Sequence, residues 1–344
     1  MPEQLIVVTG AGASFDCTRY SPQRTEWRPP LVPELFSERE ALTQILDLYP
    51  DAQSLAADIR ATVRAGSSEG LEDFLRDQVL NSALDYDRRR FRSIPLYLQH
   101  VLFEVSALYT TQPVNYDRLF NWSLRTTGET VFVTLNYDTL LDGRLTLHSA
   151  LDSLDAYVDE KRPWSLVKLH GSVNWMRRIL SPIEFRGGEG SDLSGPIQRL
   201  GEQLELDDEI VLRDVGREVR NTRWDGNEAF YPAISVPLGS EDEFSCRDDH
   251  VEFLRARLKA FDGLHVLVIG YSGVDSSLRS IFEESGNSLR TLTVVSDSRL
   301  AGDLTAERVL SAFGAGHTDH AVFEGGFGGF ADGEEFSQYF ARLG

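Results

Sequence analysis

The sequence predicts an α/β protein with a doubly wound, mainly parallel sheet of the Rossmann type and a helical insertion after the first strand. Short apolar runs rich in β-branched residues recur along the chain, which is typical of buried parallel strands. Most of these runs end at a glycine or a polar residue, as strands do at the ligand-binding edge of an α/β sheet. Between the first two runs, residues 34–127 show the apolar spacing of helices instead.

The first strand, Leu5-Ile6-Val7-Val8, runs into the glycine turn Gly10-Ala11-Gly12-Ala13-Ser14. The two glycines let the backbone approach a ligand closely. The candidates to hold a pyrophosphate through backbone N–H groups are Gly10, Ala11, Gly12 and Ser14. The turn lacks the third glycine of the usual dinucleotide fingerprint, because Phe15 occupies that position. Taken by itself, the turn is compatible both with nucleotide binding and with a tight βα connection that binds nothing.

The segment that follows the turn, residues 15–33, is rich in proline, arginine and aromatic residues and shows no period. Its prolines exclude a regular helix near residues 29–33, so the segment is either a cover over the ligand or a plain surface loop. Residues 34–127 are predicted to form an all-helical insertion. The predicted sheet domain is then made of residues 1–33 and 128–344.

Further strands are predicted at residues 130–135, 164–169, 233–237, 264–269, 292–295 and 321–323. An amphipathic helix is predicted at residues 247–261, and further helices at about 274–285 and 303–313. Residues 176–228 carry many charges and glycines and predict an elaborated loop or small subdomain with a strand near 210–212. Residues 325–330 are predicted as a flexible glycine- and phenylalanine-rich turn before a final short helix.

Small, polar or ionisable residues follow five of these strands: the glycine turn, Asn136 with Asp138, His170, Gly270 with Ser272, and Asp297. Because the carboxyl ends of parallel strands meet at one edge, these residues are predicted to line one crevice. Asp297 can accept both hydroxyls of a ribose, and Gly270 and Ser272 can line a phosphate or a ribose. Asn136 can bond a hydroxyl, a water or a carboxamide, and His170 can act as a general base or orient a sugar hydroxyl. A turn-forming Asn or a capping His explains either residue alone, but their occurrence together favours a site.

Composition limits the classes of function. The chain of 344 residues has 34 basic and 54 acidic residues and a net charge of −20, which argues against extensive direct binding of nucleic acid. The densest basic run, residues 87–92, is interpreted as a solvated helix face. With Cys17 and Cys246 as the only cysteines, neither a disulfide framework nor a four-cysteine zinc site is expected, and no metal is predicted. The sequence shows no signal peptide or membrane span, so a soluble, cytoplasmic protein is expected.

The motifs GAGAS, TLNYDTLLD, KLHGS, GYSG and VSD, in this order over residues 5–297, resemble those of the sirtuin fold. The four zinc cysteines of protein-deacylating sirtuins are absent, because Val173-Asn174-Trp175-Met176 follows KLHGS. Residues 15–33 replace the acidic and arginine-containing loop that follows the turn in those enzymes. With its helical insertion, the chain looks like the sirtuin-like NAD hydrolases of bacterial anti-phage defence systems.

This resemblance implies cleavage of NAD into nicotinamide and ADP-ribose without a metal. It also implies roles for three residues: Asn136 places the water or a ribose hydroxyl, Asp138 holds the nicotinamide amide or its loop, and His170 engages the ribose hydroxyls as a base. The resemblance further implies a homo-oligomer and a second defence protein, such as a DNA-translocating ATPase or an Argonaute-related subunit. The alternatives are an NAD-dependent protein deacylase and a non-catalytic sensor of NAD or ADP-ribose. A Rossmann dehydrogenase is disfavoured, because the third glycine and the acidic residue at the right distance after it are absent.

Overall fold

The computed structural model describes residues 4–18, 27–64, 91–109, 113–181, 204–213, 219, 223–225, 228–235, 246–260, 263–286, 289–316 and 318–343. Within these ranges the strands are β1 (Gln4–Thr9), β2 (Glu129–Thr134), β3 (Trp164–Lys168), β4 (Gly171–Ile179), β5 (Leu206–Leu212), β6 (Trp224–Asp225), β7 (Glu228–Ile234), β8 (Leu264–Ile269), β9 (Leu289–Val295) and β10 (His320–Phe323). The helices are α1 (Ala11–Phe15), α2 (Glu40–Leu46), α3 (Pro50–Arg64), α4 (Ile94–Tyr109), α5 (Val114–Thr126), α6 (Leu140–Leu145), α7 (Asp248–Ala260), α8 (Ser276–Ser285), α9 (Arg299–Ala312), α10 (Gly326–Asp332) and α11 (Glu334–Leu343). Short 3-10 turns cover Val32–Glu34 and Asp155–Val158.

The main sheet has the strand order β10-β9-β8-β1-β2-β3 in the described residues, and every neighbouring pair is parallel. From β1 the chain first builds outward through β2 and β3, and later returns to the other side of β1 with β8, β9 and β10. The strand order therefore reverses between β1 and β8, which is the switch point where such sheets bind ligands. The predicted α/β class with a doubly wound, mainly parallel sheet is confirmed.

Burial explains why these strands could be recognised from the sequence. Residues 5–8 of β1 and 264–269 of β8 are buried, with the apolar side chains of both runs at 0% exposure. A strand covered on both faces carries apolar residues continuously rather than in alternation. The strand predictions in the main sheet fall at β2, β3, β8, β9 and β10 in turn.

A second sheet is antiparallel and has the order β5-β4-β7-β6 within the described residues. It occupies part of the predicted small subdomain: the expected strand near 210–212 belongs to β5, and the one expected at 233–237 overlaps the end of β7. Strand β4 begins directly after His170 and was not anticipated, because its polar Asn174 and charged Arg177 interrupt the apolar pattern. Residues 182–203, 214–218, 220–222, 226–227 and 236–245 lie outside the described residues.

Between residues 34 and 127 the described residues form helices and turns, without a strand. These helices contribute to two separate hydrophobic cores of the described residues. Helices α2, α3 and α4 pack on β4, β6 and β7, whereas α5 belongs to the core of the parallel sheet. The boundaries predicted for the insertion stay a prediction.

Two sequence expectations concern glycine- and proline-rich segments. The segment predicted as a flexible turn at residues 325–330 mostly forms α10, because Phe327 and Phe330 are buried in the main core and hold it as a helix. Of residues 15–33, the described part contributes the end of α1 and part of a 3-10 turn, and residues 19–26 lie outside the described residues. So do residues 87–90 of the basic run. No described helix combines the length and apolarity needed to cross a bilayer.

Candidate functional site

The register of the parallel sheet places the ends of its central strands at one edge. Thr9 of β1 pairs with Thr134 of β2 and with Ile269 of β8. Thr134 pairs in turn with Lys168 of β3, and Ile269 with Val295 of β9. The residues that follow these strands therefore begin at the same level of the sheet, as the sequence predicts for a binding crevice.

Three glycines bring the turn after β1 into backbone contact with the turn after β8. The N–H of Gly10 donates to the Ile269 carbonyl at 3.1 Å, and the N–H of Gly12 donates to the Gly270 carbonyl at 3.0 Å. A Cβ atom on Gly12 would lie 2.8 Å from Gly270 Cα, and one on Gly270, whose φ is +59°, would lie 2.2 Å from the Ala13 nitrogen. The turn was predicted to approach a ligand closely, but here it approaches the protein's own backbone at Gly270. The N–H groups of Gly10 and Gly12, which were expected to contact a pyrophosphate, already have backbone acceptors. Phosphate binding by this turn stays a prediction.

Ser14 and Asn136 join the glycine turn to the loop after β2. The Asn136 Nδ2 donates to the Gly10 carbonyl and to Ser14 Oγ, both at 2.9 Å. Because a carbonyl oxygen only accepts, the amide nitrogen must face Gly10, and Oδ1 is the atom left to accept a bond from a substrate hydroxyl or water. Ser14 Oγ also lies 3.0 Å from the buried hydroxyl of Tyr116 in α5. Sequence analysis missed Tyr116, which shows only as one apolar position of a helical pattern.

Asp138 lies beneath this turn and is buried. Burial raises the pKa of its carboxyl above the ordinary value, and Lys168, the Ser14 hydroxyl and the Leu140 N–H act in the opposite direction. The Leu140 N–H donates to Asp138 Oδ1 at 3.0 Å. A carboxyl fixed in this way supports the loop, and its predicted contact with a nicotinamide amide stays a prediction.

A buried ion pair anchors the same loop from the end of β3. Lys168 Nζ donates to the Asp138 carbonyl at 2.5 Å and to Asp142 Oδ2 at 2.9 Å. The Tyr157 hydroxyl donates to the other oxygen of Asp142 at 2.9 Å. The Lys168 and Asp142 side chains are 0% and 7% exposed, so each buried charge has lost its hydration and is compensated by the other. The signal that could have found this pair is a lysine at the last position of a buried strand.

His170 pairs with a carboxylate that sequence analysis missed. Its Nε2 lies 2.9 Å from Asp275 Oδ2, and the two side chains are 12% and 11% exposed. Asp275 is the N-cap of α8, where its other oxygen accepts from the Leu278 N–H at 2.7 Å. The signal in the sequence was an aspartate followed by serines at the start of a helical pattern, which marks a cap but not a partner for histidine.

Residues on the far side of the edge are more open. Ser272 and Asp297 are exposed, and Ser296 Oγ donates to Asp297 Oδ1 at 3.2 Å. The Ser272 carbonyl accepts from Arg308 of α9 at 2.7 Å. The Asp297 carboxylate is therefore accessible to hydroxyl donors, as predicted for a ribose contact, and that contact stays a prediction. Among the residues that the structure describes, no group of His, Cys, Asp and Glu is arranged to hold a metal ion.

No protein-family model and no curated protein matches this sequence. Among solved structures, the chain is similar to one described as the structural basis for the mechanism and regulation of Sir2 enzymes, with 13% identity over 99% of this chain and 93% of that chain, at a TM-score of 0.40. It is also similar to a structure on the basis of sirtuin substrate affinity, with 12% identity over 100% of this chain and 95% of that chain, again at 0.40. Both TM-scores are low, so the choice of a function depends on the site itself.

Proposed function

We propose that this protein is an NAD glycohydrolase, which cleaves NAD into nicotinamide and ADP-ribose. The observation that carries the proposal is the pairing of His170 with Asp275 on the sheet edge that also holds the glycine contact at the switch point. A ligand at a switch point lies across the ends of β1 and β8. His170 follows β3 on the same edge, two strands away from β1.

The reaction needs a nucleophilic water, a base for its proton and support for the ribose. Water attacks C1′ of the nicotinamide ribose, the C1′–N bond breaks, and its electron pair leaves with nicotinamide. The proton of the water passes to His170 and then to solvent, so that NAD and water give nicotinamide, ADP-ribose and a proton. Asn136 Oδ1 accepts a hydrogen bond from the water or from a ribose hydroxyl, since its amide nitrogen is held by Gly10 and Ser14.

The proposal predicts that His170→Ala lowers nicotinamide release by about 10²–10⁴-fold, the range of a positioned acid–base group. The measurement follows free nicotinamide from purified protein and NAD, together with the thermal unfolding of the same preparations. His265→Ala is the matched control, because His265 is buried near the opposite, amino-terminal end of β8 and bonds Thr291. Its release of nicotinamide per folded molecule should stay near that of the wild type.

The same assay separates the alternatives. Nicotinamide release that requires an acetyl-lysine peptide would establish a deacylase and overturn the hydrolase. Binding of NAD without any release would indicate a sensor. Full activity in His170→Ala would show that this histidine is not part of the machinery. The role in anti-phage defence that the sequence resemblance implies depends on the hydrolase result.

A further inference from the structure

The carboxylate of Asp275 makes two separate bonds, one with each oxygen. Oδ1 accepts from the Leu278 N–H at 2.7 Å and caps α8, while Oδ2 lies 2.9 Å from His170 Nε2. The backbone N–H of Asp275 donates to the Tyr271 hydroxyl at 3.1 Å, which fixes the residue from a third side. The carboxylate is thus held in place by contacts that do not involve the imidazole.

A helix cap alone does not require this arrangement. The N-cap of helix α9 is Ser298, whose single hydroxyl oxygen accepts from the Ala301 N–H at 3.4 Å. Serine and aspartate cap helices about equally well, so the second oxygen of Asp275 is not needed for the cap. That oxygen spans 105 positions of the sequence to reach His170.

The imidazole is also positioned by the loop after β2. The ring centroids of Tyr137 and His170 lie 6.1 Å apart, and the Tyr137 hydroxyl donates to the Ser235 carbonyl at 2.6 Å. The Ser235 N–H donates to the His170 carbonyl at 2.9 Å. These bonds connect the backbone of His170 with its aromatic neighbour, so the loop after β2 helps to hold the backbone that carries the imidazole.

We propose that Asp275 is a positioning residue that keeps the neutral His170 ring protonated at Nε2. A carboxylate only accepts hydrogen bonds, so Nε2 carries the proton and Nδ1 is the ring nitrogen that takes up a proton in the reaction. The chemical part of this inference rests on the proposed hydrolysis of NAD. The tautomer of His170 does not, and it can be measured without any substrate.

Two substitutions distinguish positioning from simple support of the fold. In Asp275→Asn, Oδ1 still caps α8, which turns the amide nitrogen toward His170 and requires Nε2 to accept. In Asp275→Ser, the cap is kept and the carboxylate oxygen that contacts the imidazole is removed. Asp207→Asn is the matched control for the loss of one carboxylate, because Asp207 pairs at 3.0 Å with Arg178 on the antiparallel sheet.

The first readout is the 15N NMR spectrum of the histidine rings, with the His170 signals identified among seven histidines by their loss in His170→Gln. We expect Nε2–H in the wild type and in Asp207→Asn, and Nδ1–H in Asp275→Asn. The second readout is nicotinamide release, with kcat and KM determined separately. We expect kcat to fall by about 10²-fold or more in Asp275→Asn and by less in Asp275→Ser, with little change in KM.

A structural role predicts the opposite order, because asparagine is nearly the same shape as aspartate and serine is not. Asp275→Asn with wild-type kcat, or wild-type His170 unprotonated at Nε2, overturns the proposal. If Asp275→Asn does not fold, the tautomer of His170 in Asp275→Ser decides the point: a ring that is still protonated at Nε2 as in the wild type overturns the proposal, and a gain of the Nδ1–H form supports it. If the wild type releases no nicotinamide, the proposed function fails, and the tautomer measurement alone supports or overturns the action of Asp275 on the ring.

Discussion

At the scale of single residues, the tightest part of the site is the contact between the glycine turn and Gly270. Gly270 has a φ of +59°, and its α-carbon faces the backbone of Gly12 and Ala13. Two different constraints therefore apply to it: the left-handed conformation, and the absence of room for a Cβ atom. Another glycine of the chain, Gly286, has nearly the same φ of +62°, but a Cβ atom at this position would have no neighbouring atom within 4 Å.

This pair allows the two constraints to be separated. Gly286→Ala should cost about 1–2 kcal/mol of unfolding free energy, the cost of a left-handed non-glycine residue. Gly270→Ala carries that cost and, in addition, about 1–3 kcal/mol for overpacking, because the new Cβ would lie 2.2 Å from the Ala13 nitrogen. Urea denaturation of both variants measures the difference. Equal losses in the two variants would mean that the two turns are not in contact.

Asp138 gives a prediction about pH. Burial raises the pKa of this carboxyl above its ordinary value, so the unfolded chain releases the proton more readily than the folded one. The contribution of Asp138 to stability is therefore complete below the unfolded pKa and is lost as the pH rises through the folded pKa. Asp138→Asn removes this loss, and its unfolding free energy relative to the wild type should increase as the pH rises above about 4, the ordinary pKa of an aspartate.

The control for this experiment is Asp159→Asn. The Lys161 N–H and other groups lower the pKa of Asp159, so its substitution should change relative stability with the opposite sign as the pH rises. Denaturant unfolding of the wild type and both variants at several pH values gives the two slopes. Parallel curves for the wild type and Asp138→Asn would contradict the buried, proton-retaining carboxyl.

At the scale of elements, the sequence predicted those strands and helices that depend on the local order of apolar and polar residues. The strands of the main sheet contain short, buried apolar runs, and the residues that follow them were placed correctly at strand ends. Strand β4 was not predicted, because polar Asn174 and charged Arg177 interrupt its apolar pattern; the burial of Val173 and Ile179 depends on helices that lie far away in the sequence. The segment at residues 325–330 was predicted as a flexible turn, because its glycines suggest freedom that the burial of Phe327 and Phe330 removes.

The partners of the site residues could not be predicted for the same physical reason. Asn136 bonds Gly10 across 126 positions, and His170 meets Asp275 across 105. No periodicity encodes such pairs, since they arise only when the strand order is known. Asp275 and Tyr116 were not singled out from the sequence, and Lys168 entered only as part of the motif KLHGS.

At the scale of the whole molecule, Gln99 of α4 connects the helical layer with the loop that carries Tyr137. Its Nε2 donates to the Val173 carbonyl at 2.9 Å, and the Val173 N–H donates to the Tyr137 carbonyl at 3.0 Å. Its Oε1 accepts from Nε of Arg223 at 2.8 Å, and Arg223 is only 1% exposed. A buried guanidinium needs acceptors, and Gln99 is one of the few that the described residues give it, with Tyr49 and the Leu96 carbonyl.

Gln99→Leu should therefore cost about 2 kcal/mol of unfolding free energy, because it removes one of the few acceptors of a buried cation and the Gln99 donor of the buried Val173 carbonyl. Gln44→Leu is the matched control, since Gln44 bonds Glu40 on an exposed helix face, and its cost should stay within about 0.5 kcal/mol. The double variant Gln99→Leu/Arg223→Met removes the cation as well and should recover part of the loss, as an apolar replacement of a buried polar pair does. Strict additivity of the two substitutions would mean that Gln99 and Arg223 do not act as a unit in joining the helical layer to the antiparallel sheet.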